Sequence, residues 1–128
     1  MIYLDSSVAL AHILSEDRIP PSSLWDELLT SSRLLSYELW TVINMRGAAR
    51  SHGDEVRALL DRVALVDLAE HVLARALEPS PMALRTLDAL HLATVEFLRS
   101  QQNEIELATY DRRLASAAGA LGIPLLSL

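Results

Sequence analysis

Ile2-Tyr3-Leu4-Asp5-Ser6-Ser7-Val8-Ala9-Leu10-Ala11-His12-Ile13-Leu14 decides the fold. Its first three residues are apolar and predict a short buried strand that Asp5 closes. Ser6-Ser7 then opens a helix over residues 8–14, with Ser in an N-cap role. The same alternation continues. Pro20-Pro21-Ser22-Ser23 starts a helix over residues 24–29, since proline is tolerated in a first turn. Residues 33–36 predict a second strand and residues 37–50 a helix ended by Ser51-His52-Gly53. Asp54-Glu55 suits the first turn of another helix, through Arg62, and residues 64–68 predict a third strand.

Beyond it, a helix over residues 69–77 stops at Pro79 and Pro81. A long helix over residues 84–99 places Leu87, Asp88, His91, Val95 and Leu98 on one face. Gln101-Gln102-Asn103 is a polar loop before a fourth strand, residues 105–108. A helix over residues 111–120 ends at Gly122 in a C-cap position, and Pro124-Leu125-Leu126 predicts a terminal edge strand. Strands alternating with helices imply right-handed crossovers and a mainly parallel sheet covered on both faces, an α/β fold. In such sheets, sites form beyond the carboxyl ends of the strands.

Four acids stand where an acid does little for stability. Asp5 follows the first strand, Glu38 follows Leu34-Leu35-Ser36-Tyr37, Asp88 interrupts an apolar helix, and Asp111 follows the fourth strand. Burying a lone carboxylate is costly unless it is paired or bound to metal. The chain has no lysine at all, and its 11 basic residues are all arginine. Two carboxylates about 4 Å apart repel by roughly 4 kcal/mol at an effective dielectric of about 20. A shared Mg²⁺ or Mn²⁺ answers that repulsion, because both are hard cations that prefer carboxylate oxygen. Read singly, Asp5 and Asp111 are equally well explained as helix N-caps, Glu38 as a first-turn acid, and Asp88 as the partner of Arg85.

Composition removes other classes. The 128 residues make one domain, residues 1–128, large enough for its own core, and 51% are hydrophobic. No apolar run approaches a membrane span, and the N-terminus reads as free of a signal peptide, which places the protein in the cytoplasm. The absence of cysteine excludes disulfides, thiolate zinc sites and a cysteine nucleophile. The absence of lysine excludes a P-loop lysine and a Schiff base, and disfavours aspartyl-phosphate phosphatases and phospho-receivers, which expect one. A net charge of −6 argues against broad nonspecific nucleic-acid binding.

Several other residues have local readings. His91 fits a core histidine bonded to backbone or to Asp88 better than a ligand. His12, His52 and His71 have no matching partners. Ser6 and Thr109 flank the acids closely enough to hold a carboxylate or a water. Arg46 and Arg50, four residues apart on the helix of Glu38, are candidates for phosphate contact. Leu24, Trp25, Leu28 and Trp40 are candidates for a dimer or partner interface.

Taken together, four segments carry a family likeness: Ile2-Tyr3-Leu4-Asp5-Ser6-Ser7, Ser36-Tyr37-Glu38, Leu87-Asp88-Ala89-Leu90-His91-Leu92-Ala93 and Thr109-Tyr110-Asp111-Arg112-Arg113-Leu114. The chain resembles PIN-domain ribonucleases, specifically the compact VapC-type toxins of toxin–antitoxin pairs, over essentially its whole length. The resemblance implies a three-layer α/β/α sandwich and Mg²⁺- or Mn²⁺-dependent endonucleolytic cleavage of RNA. It assigns metal binding and catalysis to Asp5, Glu38, Asp88 and Asp111, with Ser6 and Thr109 in support. It further implies a homodimer neutralised by a small VapB-like antitoxin, which often places a basic side chain in the acidic crevice. The competing reading is a PIN-like interaction domain without activity, whose acids only dock a partner's arginine.

Overall fold

The computed structural model describes residues 1–128. Four strands, β1 (Ile2–Leu4), β2 (Leu29–Ser32), β3 (Val63–Val66) and β4 (Glu106–Ala108), form one sheet in the order β3-β2-β1-β4. All three pairings are parallel. The helices are α1 (Ser6–Ile13), α2 (Leu34–Met45), α3 (Ala49–Asp61), α4 (Glu70–Ala76), α5 (Thr86–Ser100) and α6 (Arg112–Ala120).

Successive side chains of a strand point to opposite faces, and β1 uses both. Ile2 and Leu4 join a core with residues of α1, α2 and α3, including Val8, Leu35, Leu39, Ile43 and Val56. Tyr3 joins the opposite core with Leu92 and Val95 of α5 and Leu114, Ala117 and Ala118 of α6. Two apolar cores on two faces of one parallel sheet make the expected three layers. The chain leaves β1 toward one face through α1 and leaves β4 toward the other through α6. Neighbouring β1 and β4 therefore form a switch point, the place where parallel sheets open a crevice beyond their carboxyl ends.

The second strand lies earlier than the sequence predicts. Leu34 and Leu35 begin α2, and the strand is Leu29-Thr30-Ser31-Ser32, entirely buried. Three of its four residues carry hydroxyls, and each hydroxyl is satisfied at the backbone. Thr30 Oγ1 donates to the Ala64 carbonyl at 2.9 Å, Ser31 Oγ donates to the Leu4 carbonyl at 2.7 Å, and Ser32 Oγ accepts from the Leu34 amide at 3.1 Å. Burial of a hydroxyl is tolerated on that condition. Glu38 consequently lies in the second turn of α2, not at a strand end.

Other boundaries move for local reasons. The helix expected over residues 24–29 is a 3-10 turn, Ser22–Asp26. The third strand is Val63–Val66 rather than residues 64–68, and the terminal strand reduces to a single parallel bridge between Leu125 and Leu107. Gly47, at φ 65°, ends α2 in a Schellman turn in which the Ala48 amide donates to the Ile43 carbonyl at 2.9 Å. Arg50 therefore lies on α3, and Arg46 and Arg50 do not share the helix of Glu38.

A second Schellman turn ends α1, where the Glu16 amide donates to Ala11 and the Ser15 amide to His12. Here the left-handed position is filled by Ser15, at φ 50°. A residue with a Cβ is strained there and glycine is not. Ser15→Gly is therefore expected to raise stability by up to about 1 kcal/mol in chemical denaturation.

Candidate active site

Asp5 sits at the carboxyl end of β1 and is 5% exposed. It caps α1, with Oδ2 accepting from the Ser7 amide at 3.2 Å. The same oxygen accepts from Ser7 Oγ at 2.5 Å and Thr109 Oγ1 at 2.8 Å. Both hydroxyls are aimed by the chain that follows β4. Ser7 Oγ accepts from the Tyr110 amide at 2.9 Å, and Thr109 Oγ1 from the Asp111 amide at 3.0 Å. Each hydroxyl thus spends its one proton on Asp5. All hydrogen bonds to Asp5 converge on Oδ2, which leaves Oδ1 to face the crevice chemistry. Ser7→Ala would remove one donor and strand the Tyr110 amide. It should cost about 1–3 kcal/mol in thermal denaturation.

Asp111 caps α6 in the same economical way. Its Oδ1 accepts from the Arg113 amide at 2.8 Å and the Leu114 amide at 3.2 Å. The capping role is real for both Asp5 and Asp111, and in each it occupies one oxygen of two.

Glu38 is held from two sides. Its Oε2 accepts from Ser6 Oγ at 3.1 Å, and its Oε1 lies 2.5 Å from His91 Nε2. His91 is 1% exposed, and its Nδ1 is 2.7 Å from the hydroxyl of the fully buried Tyr3. That hydroxyl accepts from the Ser32 amide at 3.1 Å. Burial raises the Tyr3 pKa, so the phenol keeps its proton and donates it to a neutral His91. Nε2 then carries hydrogen toward Glu38 whether the ring is neutral or charged. Burial alone would lower the His91 pKa. The bond to Glu38 and the charges of Glu38, Asp5 and Asp88 outweigh it and hold the pKa above its ordinary value. His91 is therefore a core histidine as the sequence suggests, but its carboxylate partner is Glu38 rather than Asp88.

Asp88 differs from the other three. It lies in the first turn of α5, and its Oδ2 is sealed from solvent with no hydrogen-bond partner. Its pKa is raised, first by burial and then by the negative charges of Asp111 and Asp5. His91 and Arg85 oppose the rise more weakly. Arg85 acts only as a nearby charge and forms no ion pair with it.

The four acids share one neighbourhood: the charges of Asp5 and Asp111 act on Asp88, as does that of His91, which bonds Glu38. No group of three or more acidic or histidine side chains is arranged here so that it could hold a metal ion. The donor set nonetheless fits a hard divalent cation. It is all carboxylate, it lacks lysine, and it contains a buried oxygen with no partner. The N-terminal ends of α1, α5 and α6 also point their partial positive charge at the crevice, which favours anions there.

Residues outside the crevice have structural roles. His12 packs against Trp25 and His71 against Phe97, each with tilted rings, and His52 bonds Ser51. Leu24 is buried, and Trp25 and Trp40 pack against the core, so of the candidate interface residues only Leu28 is strongly exposed, at 65%. No helix is long and apolar enough to cross a membrane.

A PIN domain family model matches residues 2–120. Over 95% of its length the chain is 30% identical to Ribonuclease VapC47 of Mycobacterium tuberculosis (strain CDC 1551 / Oshkosh), covering 93% of that protein. It is 34% identical to Ribonuclease VapC35 of the same strain, with 99% of this chain and 96% of that protein covered. To Ribonuclease VapC46 of Mycobacterium tuberculosis (strain ATCC 25618 / H37Rv) it is 35% identical, with 98% and 96% covered.

Proposed function

Because the chain belongs to the PIN-domain family, we propose that it is an endoribonuclease, the toxin of a toxin–antitoxin pair, which hydrolyses RNA phosphodiester bonds with Mg²⁺ or Mn²⁺. The observation that carries this reading is Asp88 Oδ2, a buried carboxylate oxygen with no partner, beside two further acids. Leaving such a group unpaired is costly and calls for an explanation in function. The three relatives named ribonuclease support the reaction class.

On this reading Asp5, Asp88 and Asp111 hold the ion, with Glu38 completing the acidic set. The bound ion would make its water a better nucleophile and offset charge developing on the phosphoryl oxygen. The chain's own groups supply position. Ser7 and Thr109 clamp one oxygen of Asp5 and keep the other in place. Ser6 and His91 fix Glu38, and His91 moderates the charge at the crevice floor. Arg85 and Arg112 stand beside Asp88 and Asp111 at the starts of α5 and α6, where they can steady the phosphates on either side of the cut. The protein acts in the cytoplasm as a homodimer. A small VapB-like antitoxin silences it by placing a basic side chain among the acids.

Induced expression in a bacterial host tests this reading. Wild type should arrest growth and generate new RNA 5′ ends, and Asp5→Asn should do neither at equal protein levels. Equal arrest by both variants, with intact RNA, would favour an interaction domain whose acids only dock a partner's arginine.

A further inference from the structure

Beside the acids lies a second pocket, of about 340 Å³, lined by Ser7, Leu10, Glu16, Asp17, Arg18 and Tyr110 among others. Its volume is at the lower end of the roughly 300–1,000 Å³ of small-ligand sites. Two of its walls belong to the crevice itself. Ser7 donates to Asp5, and Tyr110 is adjacent to Asp111 with its amide fixed by Ser7. The third wall is the turn after α1, which passes through left-handed Ser15 and presents Glu16, Asp17 and Arg18.

The Arg18 guanidinium lies over the Tyr110 ring, 4.2 Å from its centroid, and forms no ion pair with either neighbouring acid. This leaves a flat cationic surface backed by an aromatic, with two carboxylates beside it. A phosphate is a poor occupant, because Glu16 and Asp17 outnumber Arg18. A partner's cationic side chain is also a poor one, because Arg18 already takes the ring face and would repel it. A neutral planar ligand rich in N–H donors suits all three features. Nucleobases stack on guanidinium and aromatic planes and are read through their Watson–Crick edges. An ionised carboxylate only accepts hydrogen bonds. Among the four bases, guanine offers adjacent donors, N1–H and N2–H₂, to two carboxylate oxygens.

We propose that Arg18, Tyr110, Glu16 and Asp17 form a guanine-selective base subsite next to the scissile phosphate. The inference rests on the ribonuclease reading and adds to it where the substrate is recognised.

The test uses uncharged nucleosides, so that it does not depend on cleavage. Guanosine, inosine, adenosine, cytidine and uridine are titrated into the metal-free protein and followed by ¹H–¹⁵N NMR. Guanosine should shift the amides of Glu16, Arg18 and Tyr110 with at least about fivefold tighter binding than adenosine or uridine. Inosine, which lacks the N2 amino group, should fall between. Arg18 is exposed and lies outside both cores, so Arg18→Ala should fold normally and weaken guanosine binding about tenfold. Glu16→Gln with Asp17→Asn should erase the preference while stacking remains. No shift at these amides with any nucleoside, or equal shifts with all five, overturns the proposal. So does binding of ethylguanidinium in preference to guanosine, which would mark a pocket for a partner's arginine. RNA cleavage is then scored separately. A protein that binds guanosine here but cuts no RNA would count against the ribonuclease reading and leave the subsite standing.

Discussion

Asp88→Asn is expected to lower RNA cleavage by about 10³-fold, the scale of losing one group that acts on developing charge, and at the same time to make the metal-free protein more stable at neutral pH. The two effects share one cause. Burial and the charges of Asp111 and Asp5 raise the Asp88 pKa above its ordinary 3.8. The folded state then binds that proton more tightly than the unfolded state, and ionisation of Asp88 works against folding. Stability is lost as pH rises through the folded value, and the loss persists at pH 7. Asparagine has the same shape and never ionises. Calorimetry in EDTA should show the variant melting higher than wild type at pH 7, with the gap closing as pH falls to 3. Mn²⁺ should reverse the order by stabilising wild type more than the variant. Lower stability of the variant in EDTA at pH 7 would show that the Asp88 carboxylate has a partner and is not strained.

His91→Ala should be the most destabilising substitution at the site, by about 3 kcal/mol. It leaves the buried Tyr3 hydroxyl without its hydrogen-bond partner, removes the partner of Glu38 and opens a cavity between β1 and α5. Its pH dependence has a definite sign. The His91 pKa is raised in the folded protein, against burial, by Glu38 and the neighbouring acids. The stabilising contribution of the charged ring is therefore complete below about pH 6.5. It fades as pH rises through the folded value. Urea denaturation in EDTA should show a larger gap between wild type and His91→Ala at pH 5.5 than at pH 9. A gap that grows with pH would mean that the neutral ring is the stabilising form.

What could be read in the sequence and what could not divide along a physical line. β1, α1 and α6 are legible because a capping side chain stands beside an apolar run, and both features are local. β2 is not, because Thr30, Ser31 and Ser32 look like loop residues and become core residues only when their hydroxyls meet the Ala64, Leu4 and Leu34 backbone. The sequence therefore sets Glu38 at a strand end, whereas it lies within α2. Gly47 is likewise inconspicuous inside a helix-favouring run, although a left-handed glycine is what separates α2 from α3.

The same line runs through the crevice. Asp5, Asp88 and Asp111 stand out because a carboxylate beside apolar neighbours is conspicuous in one dimension. The groups that position them do not. Ser7 carries more of the load on Asp5 than Ser6, which serves Glu38 instead. The Asp-x-Ser spacing of an N-cap could have identified it. The Tyr3–His91–Glu38 chain joins residues 88 and 53 positions apart, and no local spacing announces such a contact.

The most direct measurement is cleavage of a mixed structured-RNA pool by the purified protein, wild type against Asp88→Asn, in EDTA, Mg²⁺ and Mn²⁺, with circular dichroism showing both folded. Discrete cuts by wild type that vanish in EDTA, return with either ion and never appear with Asp88→Asn are the predicted result. Cuts that survive EDTA, or that Asp88→Asn makes as fast as wild type, would contradict a carboxylate-held ion as the centre of this site.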